Sequence, residues 1–87
     1  MCSLNKRKIS RRFTIEVSSG TAFALQELAA RCTKADERND GFTSHGALNI
    51  PSLLTMLAED AAMVVTRPGS WEGANMTQVF TSHGYEV

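Results

Sequence analysis

Basic side chains cluster at one end of this chain, where they are suited to binding phosphates and base edges. The 87 residues include nine Lys or Arg and nine Asp or Glu, so the formal net charge is zero. Residues 1–12 nevertheless hold five bases and no acid and carry +5, whereas residues 13–87 carry −5. A cationic segment beside an acidic body is typical of a protein that meets a polyanion with one end. The five bases are Lys6, Arg7, Lys8, Arg11 and Arg12.

The basic cluster runs into a segment whose side chains alternate in character. Residues 8–17 read KISRRFTIEV, and an alternation with a period of two predicts a β-strand over this range. Residues 1–7 are then a flexible basic arm in front of a single domain over residues 8–87. One face of the strand carries Ile9, Arg11, Phe13, Ile15 and Val17, and the other carries Lys8, Ser10, Arg12, Thr14 and Glu16.

Other chemistries have no matching residue pattern. His45 and His83 each follow a serine, but the sequence has no nucleophile elbow and the chain is short for a hydrolase, so we expect no enzyme activity. Cys2 and Cys32 lie outside any CxxC pair, and neither HxxxH nor HExxH occurs, so no metal site is expected. The glycines lack nucleotide-binding spacing, so no cofactor is expected.

Trp71 is the only tryptophan in the chain. It follows the Pro68-Gly69 turn signal, and it can pack over that turn or contact another protein. Tryptophan is enriched among the residues that dominate binding energy in interfaces. Trp71 is therefore a candidate protein contact, and a small adaptor or inhibitor acting through Trp71 and the acidic body is the alternative function.

Helical periodicity and capping residues predict the elements after the strand. Apolar residues three and four apart between Thr21 and Cys32, after a serine cap, predict a helix over 19–32. The polar residues 33–48 predict a loop. Asn49 and Pro51 are favourable at a helix start and predict a helix over 50–66. Residues 70–87 fit either a helix or a hairpin, with the helix preferred.

The helix over residues 50–66 is apolar around most of its circumference, so it needs more than one neighbour. In so short a chain the expected second neighbour is another copy, which predicts a homodimer. The sequence contains no apolar run long enough to span a membrane and no secretory signal. We therefore expect a cytoplasmic protein with reduced thiols and no membrane partner.

The order strand–helix–helix, with bases before and within the strand, resembles the ribbon-helix-helix family of DNA-binding proteins. KRKISRRFTIEV, the helix 19–32 and the apolar helix 50–66 carry the resemblance. It implies an α+β fold that dimerises through the strand, whose paired ribbon enters the DNA major groove. The loop of about sixteen residues is longer than the family's.

The resemblance also implies roles for individual residues. Ser10, Arg12 and Thr14 would face the bases, while Lys6, Arg7 and Lys8 would meet phosphates. The start of the second helix, at Asn49 and Ser52, would hold a further phosphate. The sequence therefore predicts a sequence-specific binder of double-stranded DNA, acting in transcription regulation as a repressor or as an accessory factor in DNA processing.

Overall fold

Three helices form the part of the chain that the structure describes, residues 9–87 of a computed structural model. They are α1 (Ser19–Arg38), α2 (Ile50–Thr66) and α3 (Trp71–Ser82). Helices α2 and α3 pack closely against each other, and α1 contacts α2 more sparsely. The architecture of the described residues is therefore all-helical.

The predicted N-terminal strand is absent. Residues 9–17 contain no helix, strand, turn or bend, and every one of them is exposed. A strand exists only where a second strand supplies hydrogen-bond partners, and the described residues contain none. The predicted α+β class, the ribbon-helix-helix-like architecture and the strand that was to join two copies are therefore wrong. The predicted basic arm, residues 1–7, lies outside the described residues.

Helix α1 begins as predicted and ends six residues later than predicted. Ser18 caps it, with the Ser18 Oγ accepting from the Thr21 amide at 3.1 Å. Residues 33–38 (TKADER) include good helix formers such as Ala, Lys, Glu and Arg, so the charged stretch continues the helix. The chain leaves the helix where Asp40 and Gly41 adopt positive φ angles of 53° and 80°. The loop is therefore shorter than the predicted 33–48.

Helix α2 has the predicted bounds, and the C-terminal segment forms a helix rather than the alternative hairpin. A reciprocal capping box starts α2: the Asn49 Oδ1 accepts from the Ser52 amide, and the Ser52 Oγ accepts from the Asn49 amide, both at 2.9 Å. Helix α3 starts in a similar way, because the Ser70 Oγ accepts from the Gly73 amide at 3.0 Å.

Gly73 lies where α3 meets the end of α2. A Cβ atom built there would lie 2.5 Å from the Arg67 carbonyl oxygen and 2.8 Å from the Met63 carbonyl oxygen. Both distances are shorter than a carbon–oxygen contact allows. The glycine is therefore what lets the two helices approach this closely.

Few apolar side chains are buried within the described residues. Among hydrophobic residues only Ala29 (5% exposed) and Leu53 (1% exposed) are buried. Thirteen large hydrophobic residues are exposed, including Phe13 at 87% and Val65 at 84%. An isolated copy therefore has a very small core and a broad apolar surface.

Candidate functional site

The segment of residues 9–17 presents the predicted base-facing side chains to solvent. Every residue in it is exposed, including Ser10, Arg12 and Thr14. The only side-chain hydrogen bond within this segment is local, from the Arg11 Nη1 to the Ser10 carbonyl oxygen at 3.3 Å. The donors of Arg12 and the hydroxyls of Ser10 and Thr14 are thus available to a ligand.

The cations of this segment are not neutralised by the described body. Across residues 9–87 there is a single salt bridge, between the Arg31 Nε and the Glu27 Oε2 at 3.1 Å on α1. No described carboxylate therefore pairs with Arg11 or Arg12. Lys6, Arg7 and Lys8, the predicted phosphate contacts, fall outside the described residues, immediately before this segment in sequence.

A groove runs between the segment and helix α2, with a volume of about 930 Å³. We call it the segment–α2 groove. One wall is formed by Arg11, Arg12, Phe13 and Ile15, and the other by residues of α2 between Ile50 and Ala62. The start of α2 therefore lies on the same side of the molecule as the two arginines, as a shared phosphate-binding surface requires.

The capping box limits what the start of α2 can offer to a phosphate. The Ser52 amide and hydroxyl are engaged with Asn49, and Pro51 has no amide hydrogen. The Ile50 amide and the Asn49 side-chain NH₂ are the donors at this helix start without an acceptor among the described residues. Asn49 can therefore contact an anion through its NH₂ group, whereas Ser52 acts chiefly as a cap.

Trp71 is 76% exposed at the first position of α3. Its carbonyl oxygen accepts from the Asn75 side-chain amide at 2.8 Å, while the indole ring stays mostly in solvent. Packing of the ring over the Pro68-Gly69 turn would have buried it. An exposed indole is available for contact with another molecule.

A second cavity, of about 170 Å³, lies between the end of α1 and the loop after it. Cys32, His45 and Met56 are among its lining residues, and the Ser44 Oγ lies 2.8 Å from the His45 Nδ1. In the described part of the chain, no three side chains of His, Cys, Asp or Glu are grouped closely enough to hold a metal ion.

The sequence predicted the exposed polar residues Ser10, Arg12 and Thr14, but it did not predict the groove beside the segment. The signal for the groove was the second apolar face of α2, which was used only to predict a dimer. This face lies toward residues 11–15 because of the direction in which the chain leads into α1. No local sequence pattern specifies that direction.

Comparisons with protein-family models, with characterised proteins and with solved structures gave no match for this chain. None of the helices within residues 9–87 combines the length and apolar character needed to cross a membrane.

Proposed function

We propose that this protein binds double-stranded DNA through the basic segment that includes residues 6–14. The observation that carries the proposal is the exposure of Arg11 and Arg12 on a segment without helix or strand, with no carboxylate of the described body paired to them. Three further bases precede them directly in sequence. Five cations on so short a stretch are suited to displacing the counterions that surround a duplex.

The proposed contacts to the DNA backbone and to the bases come from successive parts of the segment. In this proposal Lys6, Arg7 and Lys8 contact phosphates, which position the protein without reading the sequence. Arg12 can donate two hydrogen bonds to guanine O6 and N7, while Ser10 and Thr14 can donate to or accept from either base edge. These contacts do not require a paired strand, because the donors and acceptors belong to the side chains and not to the backbone.

The acidic body supports one orientation on DNA. Residues 13–87 carry −5, and most of the acids lie on or after α1. Repulsion from phosphates would turn these surfaces away from the duplex and leave the basic segment facing it.

Salt dependence of binding is the direct test. Fluorescence anisotropy of a labelled duplex with the full chain should show affinity that falls steeply between about 50 and 200 mM salt. With about 4–8 phosphates neutralised, the slope of log K against log salt is roughly −4 to −7. Absence of duplex binding at the lowest salt concentration would refute the proposal.

Arg12→Ala and Arg38→Ala form a matched pair for the base contact. Each removes one exposed arginine and one charge, but only Arg12 lies on the segment before α1, whereas Arg38 is the last residue of α1. On a duplex selected from a random pool, we expect Arg12→Ala to lose affinity about 5- to 150-fold and to lose discrimination at one base pair. Arg38→Ala should stay within about twofold of the wild type. Equal losses for the two variants would argue against a base contact by Arg12.

A second candidate function is protein binding through the Trp71 surface, and the exposed indole is the observation that favours it. In that case a protein partner found by crosslinking should lose binding to Trp71→Ala and keep binding to Arg12→Ala. The opposite pattern would assign that partner to the basic segment instead.

A further inference from the structure

The segment–α2 groove is apolar surface that nothing in the described chain covers. Phe13 and Ile15 form part of one wall, and Leu54 and Leu57 form part of the other. Continuous apolar patches of this kind are uncommon on monomers and mark interaction sites. We therefore expect another molecule to cover this groove.

The small core indicates that the chain needs this additional contact in order to fold. Ordering the backbone costs about 1–2 kcal/mol per residue, and burial of apolar surface is the main compensation. With Ala29 and Leu53 as the buried hydrophobic residues among those described, one copy buries little. A second copy of this chain is the one partner that is always available to a newly made copy.

The face of α2 toward the groove is suited to packing against an identical helix. Its apolar groove-lining positions include residues spaced by three and four, so they form one stripe along the helix. The small side chains of Ala58 and Ala62 allow a second helix to approach to about 8–10 Å. Seventeen residues make α2 about 25 Å long, which gives room for a symmetric helix pair. The stripe comprises Ile50, Leu54, Leu57, Ala58 and Ala62.

The charges at the groove are complementary to themselves under a two-fold rotation. Arg11 lines the segment wall of the groove together with Phe13 and Ile15, and Glu59 lies on the α2 wall. A two-fold axis along the groove brings Arg11 of one copy toward the partner's Glu59. By the same symmetry, Glu59 of the first copy lies toward the partner's Arg11. Such rim pairs select orientation more than they add affinity. Arg12 also lines the groove, whereas Ser10 and Thr14 do not.

We propose that a second copy of this chain occupies the segment–α2 groove, with the two α2 helices packed face to face about a two-fold axis. The contact uses helix faces and needs no paired strand. It covers Phe13 and Ile15, which are exposed in one copy. It does not rest on DNA binding, because the contact is made by apolar side chains of the groove and requires no nucleic acid.

Ala58→Glu and Ala74→Glu test the proposal as a matched pair. Both alanines are exposed on helices, so a glutamate at either position leaves the packing within one copy intact. Ala58 lines the groove, whereas Ala74 lies on α3 outside it. Sedimentation equilibrium of the full chain should give a wild-type dimer at micromolar concentration. Ala58→Glu should raise the dimer dissociation constant at least about 100-fold by placing unpaired carboxylates in the interface, and Ala74→Glu should leave it unchanged.

Each outcome decides the proposal. Dissociation or loss of helical circular dichroism in Ala58→Glu alone supports it, since the exposed Ala58 matters only when that face is covered. A wild-type monomer at 100 μM would overturn the proposal. So would a dimer that Ala58→Glu leaves intact, or one that both variants weaken equally.

Discussion

At the scale of single residues, Gly73 shows how a substitution that favours a helix can still destabilise the fold. Alanine is about 1 kcal/mol better than glycine inside a helix. At this position, however, the added methyl group would collide with two backbone carbonyls at the end of α2. Backbone atoms cannot move aside as a flexible side chain can, so the steric cost decides the outcome.

We therefore expect Gly73→Ala to lower the free energy of unfolding by about 1–3 kcal/mol, as overpacked core substitutions do. Gly69→Ala is the control, because a Cβ there meets no atom within 4 Å and the φ angle of Gly69 lies outside the positive range. Urea unfolding followed by circular dichroism measures both variants. Equal stability of the two would show that α3 can shift away from α2 at little cost.

Leu53 is the most deeply buried side chain among the described residues. At 1% exposure it is the single fully buried side chain in the described region. Leu53→Ala should cost about 2–5 kcal/mol, through lost apolar transfer and a residual cavity. Val65→Ala, at a position 84% exposed, should change stability by less than about 0.5 kcal/mol. Thermal unfolding of the two variants checks this contrast, and a large loss at Val65 would contradict it.

At the scale of elements, α1 is held to the rest of the molecule by few contacts, and Thr33 supplies a polar one. The Thr33 hydroxyl donates to the Leu48 carbonyl oxygen at 3.1 Å and accepts from the Leu48 amide at 3.0 Å. Asp36 accepts a further hydrogen bond from the Thr43 hydroxyl. These bonds fold the loop back onto α1 just before α2 begins.

Thr33→Val keeps the shape of the side chain and removes both hydrogen bonds to Leu48. Two part-buried backbone groups then lose their partner, so we expect a loss of about 1–3 kcal/mol. Faster hydrogen exchange of the Leu48 amide should accompany it. Thr33→Ser retains the hydroxyl and should keep that amide protected. Unchanged exchange in Thr33→Val would mean that water replaces the hydroxyl without cost.

The helix starts could be predicted from the sequence, whereas the absence of the expected strand could not. Caps at Ser18, Asn49 and Ser70 act on their own first turns, so local sequence is enough to place the helix starts. A strand depends on a partner elsewhere, and alternation over residues 8–17 carries no information about one. For the candidate site, the sequence predicted the exposed Ser10, Arg12 and Thr14. It did not reveal that Asn49 and Ser52 would largely satisfy each other.

At the scale of the whole molecule, folding and association are expected to be one process. Since a single copy buries so little, a folded dimer should gain stability by mass action as protein concentration rises. With an unfolding enthalpy of about 0.7 kcal/mol per residue, each tenfold increase in concentration should raise Tm by about 4 °C. Calorimetry over a hundredfold range of concentration measures this. A Tm independent of concentration would indicate a chain that folds as a monomer.

The exposed indole of Trp71 has a practical consequence for optical measurements on this protein. The chain has one fluorophore of this type, and its ring is already surrounded by water in the folded state. Intrinsic emission should therefore change little on denaturation and remain accessible to iodide quenching in native protein. Any blue shift or protection from the quencher would instead signal that another molecule has covered the start of α3. The same spectrum that follows unfolding poorly thus becomes a label-free reporter of docking at that helix end.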